Sequence, residues 1–200
     1  ITLINRGPKI AKCVALPSLW FRNTWSWGYE NGPMNDVSDK PRLLQAMGRS
    51  GYDMVEINHT TAGSYYLYAE NADDLLFTDN ESNLGRFENS LKGNSFVKDA
   101  FHHYIINKEA SINPELAGTK SCLHYQFSIP AGEYVEISLR LTPENTVKPF
   151  AEFDAILQTR QHEANVFYES IYPTNASREE KRIQRQALAG KLFVSIWRAY

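Results

Sequence analysis

Cysteine is scarce in this sequence: Cys13 and Cys122 are the only two, and no Cys-x-x-Cys pair exists. That is too few for a disulfide framework and supplies no thiolate set for zinc, so both read as small buried hydrophobes. An excess of one charge is missing too, with 21 Lys and Arg against 23 Asp and Glu, a formal net charge of −2. Without surplus cations to neutralise phosphates, nucleic acid is not an expected partner. No apolar run approaches the roughly 20 residues that span a bilayer, so a membrane is not expected either. Patterns of the GxSxG, HExxH, GxGxxG and EF-hand kind are all absent. Gly118-Thr119-Lys120-Ser121 resembles a phosphate loop only superficially, because the lysine does not directly follow the glycine and the upstream glycine is lacking. His102 and His103 are adjacent, and in a strand they would face opposite sides, which suits no shared metal. No cofactor is expected. Internal repeats and low-complexity tracts are also missing. The chain opens without Met in an alternating run and closes on Trp197–Tyr200 without a helix stop signal. It reads as an interior piece of a longer, cytoplasmic protein.

What the sequence does have is a change of period. With 42% hydrophobic and 22% charged residues, it is an ordinary globular chain that makes one large domain or two small ones. Up to about Pro143 the apolar pattern repeats every second residue. In YVEISLRL, Val135, Ile137, Leu139 and Leu141 alternate with Glu136, Ser138 and Arg140. Leu123, Tyr125, Phe127 and Ile129 alternate in the same way, and Pro130-Ala131-Gly132 between the two runs predicts a hairpin. Weaker strand signals cover 11–16, 18–22, 53–58 and 64–70. Several half-buried antiparallel strands need a second layer, so a β-sandwich is expected over 1–145. After Pro149 the period becomes helical. Phe153, Ile156, Leu157, Ala164, Phe167, Tyr168 and Ile171 share one face, with Glu152 and Asp154 in the first turn. Pro173 ends that helix, and Ser177-x-x-Glu180 is a capping box for a second one carrying Ile183, Ala187, Val194 and Trp197. The helices are expected near 150–172 and 177–200.

Two clusters invite a chemical reading. LWFRNTWSWG, residues 19–28, gathers Trp20, Phe21, Trp25 and Trp27 around Arg22 and Asn23. Aromatic faces stack on the C–H faces of sugars while Arg and Asn donate to hydroxyls; the same residues also fill cores and domain interfaces. On these residues alone, packing is the stronger reading. LFTDNESN, residues 76–83, lies close to Asp73 and Asp74 and holds Asp79 and Glu81. Carboxylates about 6.5–9.5 Å apart could serve as an inverting acid–base pair. Acidic residues mixed with Asn and Ser more commonly mark a solvated turn. Sequons at Asn58, Asn80 and Asn175 matter only in a secreted chain.

Taken in order, NRGP, LPSLWFRNTWSWG, KP, LFTDNESN, VKDAFHHY, INPELAGTKSCLHY and FDAILQTRQHEANVFY…RQALAG resemble the bacterial-type members of glycoside hydrolase family 63. The resemblance runs from Asn5 to about Lys191. It implies an N-terminal β-sandwich joined to a C-terminal (α/α)6 barrel, and inverting hydrolysis of α-glucosidic bonds by an Asp acid and a Glu base in the barrel. On that basis the chain is mainly β: part of an antiparallel sandwich (1–145), a linker helix (146–176), and the first helix of a truncated (α/α)6 domain (177–200). The catalytic pair would lie beyond Tyr200, so no catalytic residue is assigned. Arg22, Asn23, Trp25, Trp27, Asn80 and Glu81 become candidates for contact with a carbohydrate or with the barrel. A non-catalytic carbohydrate-binding or interaction module is the alternative.

Overall fold

Tyr52, Val55 and Ile57, and Tyr65, Tyr66 and Tyr68, lie in two eight-residue strands, where β-branched and aromatic side chains pack well on a pleated surface. The computed structural model describes residues 1–23, 25, 40–47, 51–83 and 96–198, and the side chains of these up to residue 190. Its strands are β1 (Thr2–Ile4), β2 (Ala11–Ala15), β3 (Ser18–Trp20), β4 (Arg42–Ala46), β5 (Tyr52–His59) and β6 (Gly63–Glu70). Then follow β7 (Asp74–Thr78), β8 (Ala117–Gly118), β9 (Lys120–Ile129), β10 (Tyr134–Glu136) and β11 (Leu139–Thr142). All described pairings are antiparallel. One sheet runs β11-β6-β5-β4-β8; a second has β9 between β7 on one side and the successive β2 and β3 on the other; β1 pairs β10. Close Cα packing divides the chain into two units, Ile1–Phe150 and Ala151–Tyr200.

In the first unit, Leu43, Val55, Ile57, Leu67 and Ala69 of the five-stranded sheet share a core with Leu75, Phe77, Leu123, Tyr125 and Ile137. The opposite face of β7 and β9 is covered as well. Leu76, Phe101 and Cys122 are buried together, with Tyr104, Ile105 and Ile112 packed against them. Phe101 sits in a short helix α1 (Ala100–His102) that continues as a π-turn over His103–Asn107. These residues are therefore helical, within the stretch 1–145 expected from the sequence to be β throughout. The apolar spacing Phe101, Tyr104, Ile105 is helical but too short to stand out from the alternation around it.

The YVEISLRL alternation is not one strand. It splits into β10 and β11 in different sheets, and Ile137 between them exchanges bonds with Ile1: its N–H donates to Ile1 O at 2.8 Å and its carbonyl accepts the N-terminal amine at 2.7 Å. Changing sheet resets the phase, so Leu141 is exposed and Thr142 is buried. The hairpin predicted across Pro130–Gly132 does not pair β9 with β10. Asn5 occupies the turn, with Nδ2 donating to Ile129 O at 2.8 Å and Pro130 O at 3.0 Å, and β1 takes the edge of β10 instead. A true hairpin joins β5 and β6. Gly63 accepts a left-handed φ of 87°, and His59 Nδ1 accepts the N–H groups of Thr61 and Ala62 at 3.1 and 3.2 Å.

After β11 the chain crosses the sheet it has left. Tyr68 Oη donates to Asn145 Oδ1 at 3.2 Å and accepts Thr146 N–H at 2.9 Å, Arg140 Nη1 donates to Pro149 O at 2.8 Å, and Phe150 meets Tyr52.

The second unit holds α2 (Phe153–Ile171) and α3 (Arg178–Arg198), matching the change of period. Ser177 and Glu180 form the expected capping box: Ser177 N–H donates to Glu180 Oε2 at 2.8 Å, and Glu180 N–H donates to Ser177 Oγ at 3.3 Å. The two helices meet through polar groups: Arg185 lies over the Tyr168 ring and donates to Asn165, while Lys181 pairs with Glu169. Tyr168 is the buried residue of α2, and Ile156, Leu157, Val166, Phe167 and Ile171 are exposed. Val194 and Trp197 lie outside the described side chains.

Candidate functional site

The end of β7 gathers five of the segments that the sequence singles out. Only the second half of LFTDNESN is a turn: Leu76, Phe77 and Thr78 belong to β7 and are fully buried. Burial on both faces produces this run of consecutive apolar residues, which no alternation reveals. The chain leaves the strand at Asp79, and residues 79–83 form a turn that is half-buried except at the exposed Ser82 and is braced by hydrogen bonds from several segments.

Asn80 and Asn23 tie the turn to the Trp-rich segment in both directions. Asn23 Nδ2 donates to Asn80 O, and Asn80 Nδ2 donates to Phe21 O, each at 2.8 Å. Glu81 Oε1 accepts the Trp25 indole N–H at 3.1 Å and the Lys40 ammonium at 3.2 Å. This carboxylate thus holds two separate stretches of chain at one point. VKDAFHHY supplies the next contacts, with Lys98 N–H donating to Glu81 O at 3.1 Å, Lys98 Nζ to Ser82 Oγ at 2.9 Å, and Asn83 Nδ2 reaching Asp99 Oδ2 at 3.4 Å. INPELAGTK closes the ring. Thr119 Oγ1 accepts Asn80 N–H at 2.7 Å and donates to Asp79 Oδ1 at 3.3 Å.

Gly118 makes that last contact possible. A Cβ there would lie 2.3 Å from Thr78 O, a backbone atom with no freedom to move aside. Its neighbour Thr119 donates its N–H to the same carbonyl at 3.1 Å. Gly118 and Lys120 are therefore strand residues in β8 and β9, and the likeness to a phosphate loop has no structural counterpart. Upstream, Asn113 shapes the approach: Nδ2 donates to Ala117 O at 2.7 Å and Oδ1 accepts Glu115 N–H at 3.0 Å.

Of the six candidate residues, the structure brings Asn23, Trp25, Asn80 and Glu81 together. Arg22 is exposed on the same segment, and Trp27 lies outside the described residues. Asp79 and Glu81 do not stand open across a cleft; Thr119, Trp25 and Lys40 occupy them. The sequence does not single out Lys40, Lys98 or Thr119 as site residues, although each lies in a segment that carries the family resemblance. A lone Lys-Pro and a Gly-Thr pair carry no spacing signal, because their partners are distant in sequence. His102 and His103 are helical neighbours, and His103 lies 3.5 Å from both Asp99 and Glu109. Among the described residues, no group of three or more His, Cys, Asp or Glu is placed to hold a metal ion, and no helix is long and apolar enough to cross a membrane.

Burial controls the titrating groups nearby. It pushes the Cys122 thiol up to about 12, with Lys120 opposing the shift and Asp74 adding to it. It also lowers Lys120, whose Nζ donates to Lys98 O at 2.8 Å and lies over the Phe101 ring.

The chain is similar to the uncharacterized protein YMR196W of Saccharomyces cerevisiae, 34% identical over 211 aligned positions that take in 88% of this chain and 19% of the yeast protein. It thus spans about a fifth of the length of that curated relative. No family profile matches the chain, and no solved structure does.

Proposed function

We propose that this chain is the supporting part of a longer glycoside hydrolase, similar to family 63, that cleaves α-glucosidic bonds with inversion. In this reading the two sheets form a β-sandwich, and α2 and α3 begin an (α/α)6-type domain that carries the catalytic carboxylates. The observation that carries it is the convergence at the end of β7. Four of the seven segments that carry the family resemblance meet in one braced turn through Asn23, Trp25, Lys40, Asn80, Glu81 and Thr119. The exposed apolar side chains of α2 support the helical part, since a helix owes most of its stability to packing of such a face. A cytoplasmic setting belongs to the same proposal, supported by two cysteines that are both free.

Arg22, Asn23, Trp25, Trp27, Asn80 and Glu81 are assigned an interdomain role first and carbohydrate contact second. A non-catalytic carbohydrate-binding module is the second reading, favoured by the exposure of Trp20 and Arg22 beside the braced turn. The test is an assay of the longer protein on α-linked glucosides, with the released anomer followed by NMR. Hydrolysis yielding the β-anomer first is expected, with no turnover by the 200-residue chain alone. Turnover by this chain alone would show the chemistry to be misplaced. An inert longer protein, combined with retardation of this chain on α-glucan gels, would establish the binding module instead.

A further inference from the structure

We draw no further inference here: the strongest candidate, the apolar face that Ile156, Leu157, Val166, Phe167 and Ile171 leave exposed along α2, carries nothing beyond the reading above because nothing in the structure shows what covers it.

Discussion

Gly118 and Cys122 show how single residues set the tolerance of the candidate site. Gly118→Ala places a methyl group 2.3 Å from Thr78 O, so β8 must move away from β7 and loosen the Thr119 bonds. Forced shifts of this kind cost about 1–3 kcal/mol. Urea unfolding of the variant is expected to show that loss, and an unchanged midpoint would mean the close approach is not maintained. Cys122 carries a pH signature. Its folded pKa, about 12, lies above the ordinary 9.0, so the protonated thiol is favoured by folding. The stability it contributes is fully present below about pH 9 and is lost as pH rises towards 12. Tyr125, likewise raised to about 12 by burial and by Asp53, Glu70 and Asp73, adds to the same alkaline loss. Cys122→Ala, compared with wild type by urea unfolding at pH 8 and pH 10.5, is expected to lose less over that interval despite a lower starting value. The segments that hold Asn23, Trp25, Asn80 and Glu81 are legible in the sequence because their residue types cluster locally, but that the segments meet is not. Lys40 and Thr119 are not legible either, because a hydrogen bond between residues about 40 apart, as for Lys40–Glu81 and Asn80–Thr119, leaves no trace in local spacing.

At the level of elements, the change of period locates β5, β6 and both long helices, but burial follows it only in part: Leu67, Tyr68 and Ala69 are buried in succession in β6, and most of the apolar face of α2 is exposed. The pattern failed in three physical situations. β7 is buried on both faces, α1 is shorter than a single clear helical repeat, and YVEISLRL changes sheet midway. The hairpin at Pro130–Gly132 failed for a fourth reason: the turn chemistry is sound, with Gly132 at φ 77°, but Asn5 brings a competing strand to it. Capping, by contrast, was read correctly because it is local. Hydrogen bonds from Ser177 hold the Glu180 carboxyl below its ordinary 4.5. A depressed carboxylate contributes above its unfolded pKa and loses that contribution as pH falls through the folded value. The start of α3 is therefore expected to fray as pH falls below the ordinary glutamate range. Far-UV circular dichroism between pH 6 and pH 2.5 should show helix loss in the wild type and a smaller acid-dependent change in Ser177→Ala, which lacks the side-chain half of the box. Equal acid slopes in the two proteins would remove the capping box as the cause.

For the molecule as a whole, the function proposed above gives the braced turn a choice between holding a neighbouring domain and touching a sugar. Glu81 spends one carboxylate oxygen on Trp25 and Lys40 together, which fixes the ends of two chain segments at a common point. Each bond is modest because both partners of the ion pair are partly exposed, with 42% of the Lys40 side chain and 28% of the Glu81 side chain accessible. Their joint effect is geometric: they set where the Trp-rich segment emerges. Arg22, next to Phe21 and Asn23, is exposed in this chain. The proposed function leaves two roles for Arg22, donation to a carboxylate of a neighbouring domain or to the hydroxyls of a bound sugar. The two roles separate in the longer protein. For an interdomain role, Arg22→Ala and Trp27→Ala are expected to lower Tm and activity together, while Arg22→Lys restores part of the Tm through retained charge. For a sugar contact, either alanine variant would raise KM strongly with Tm unmoved. That second outcome would reverse the order of roles assigned here, yet leave the proposed hydrolysis standing, since it presupposes turnover.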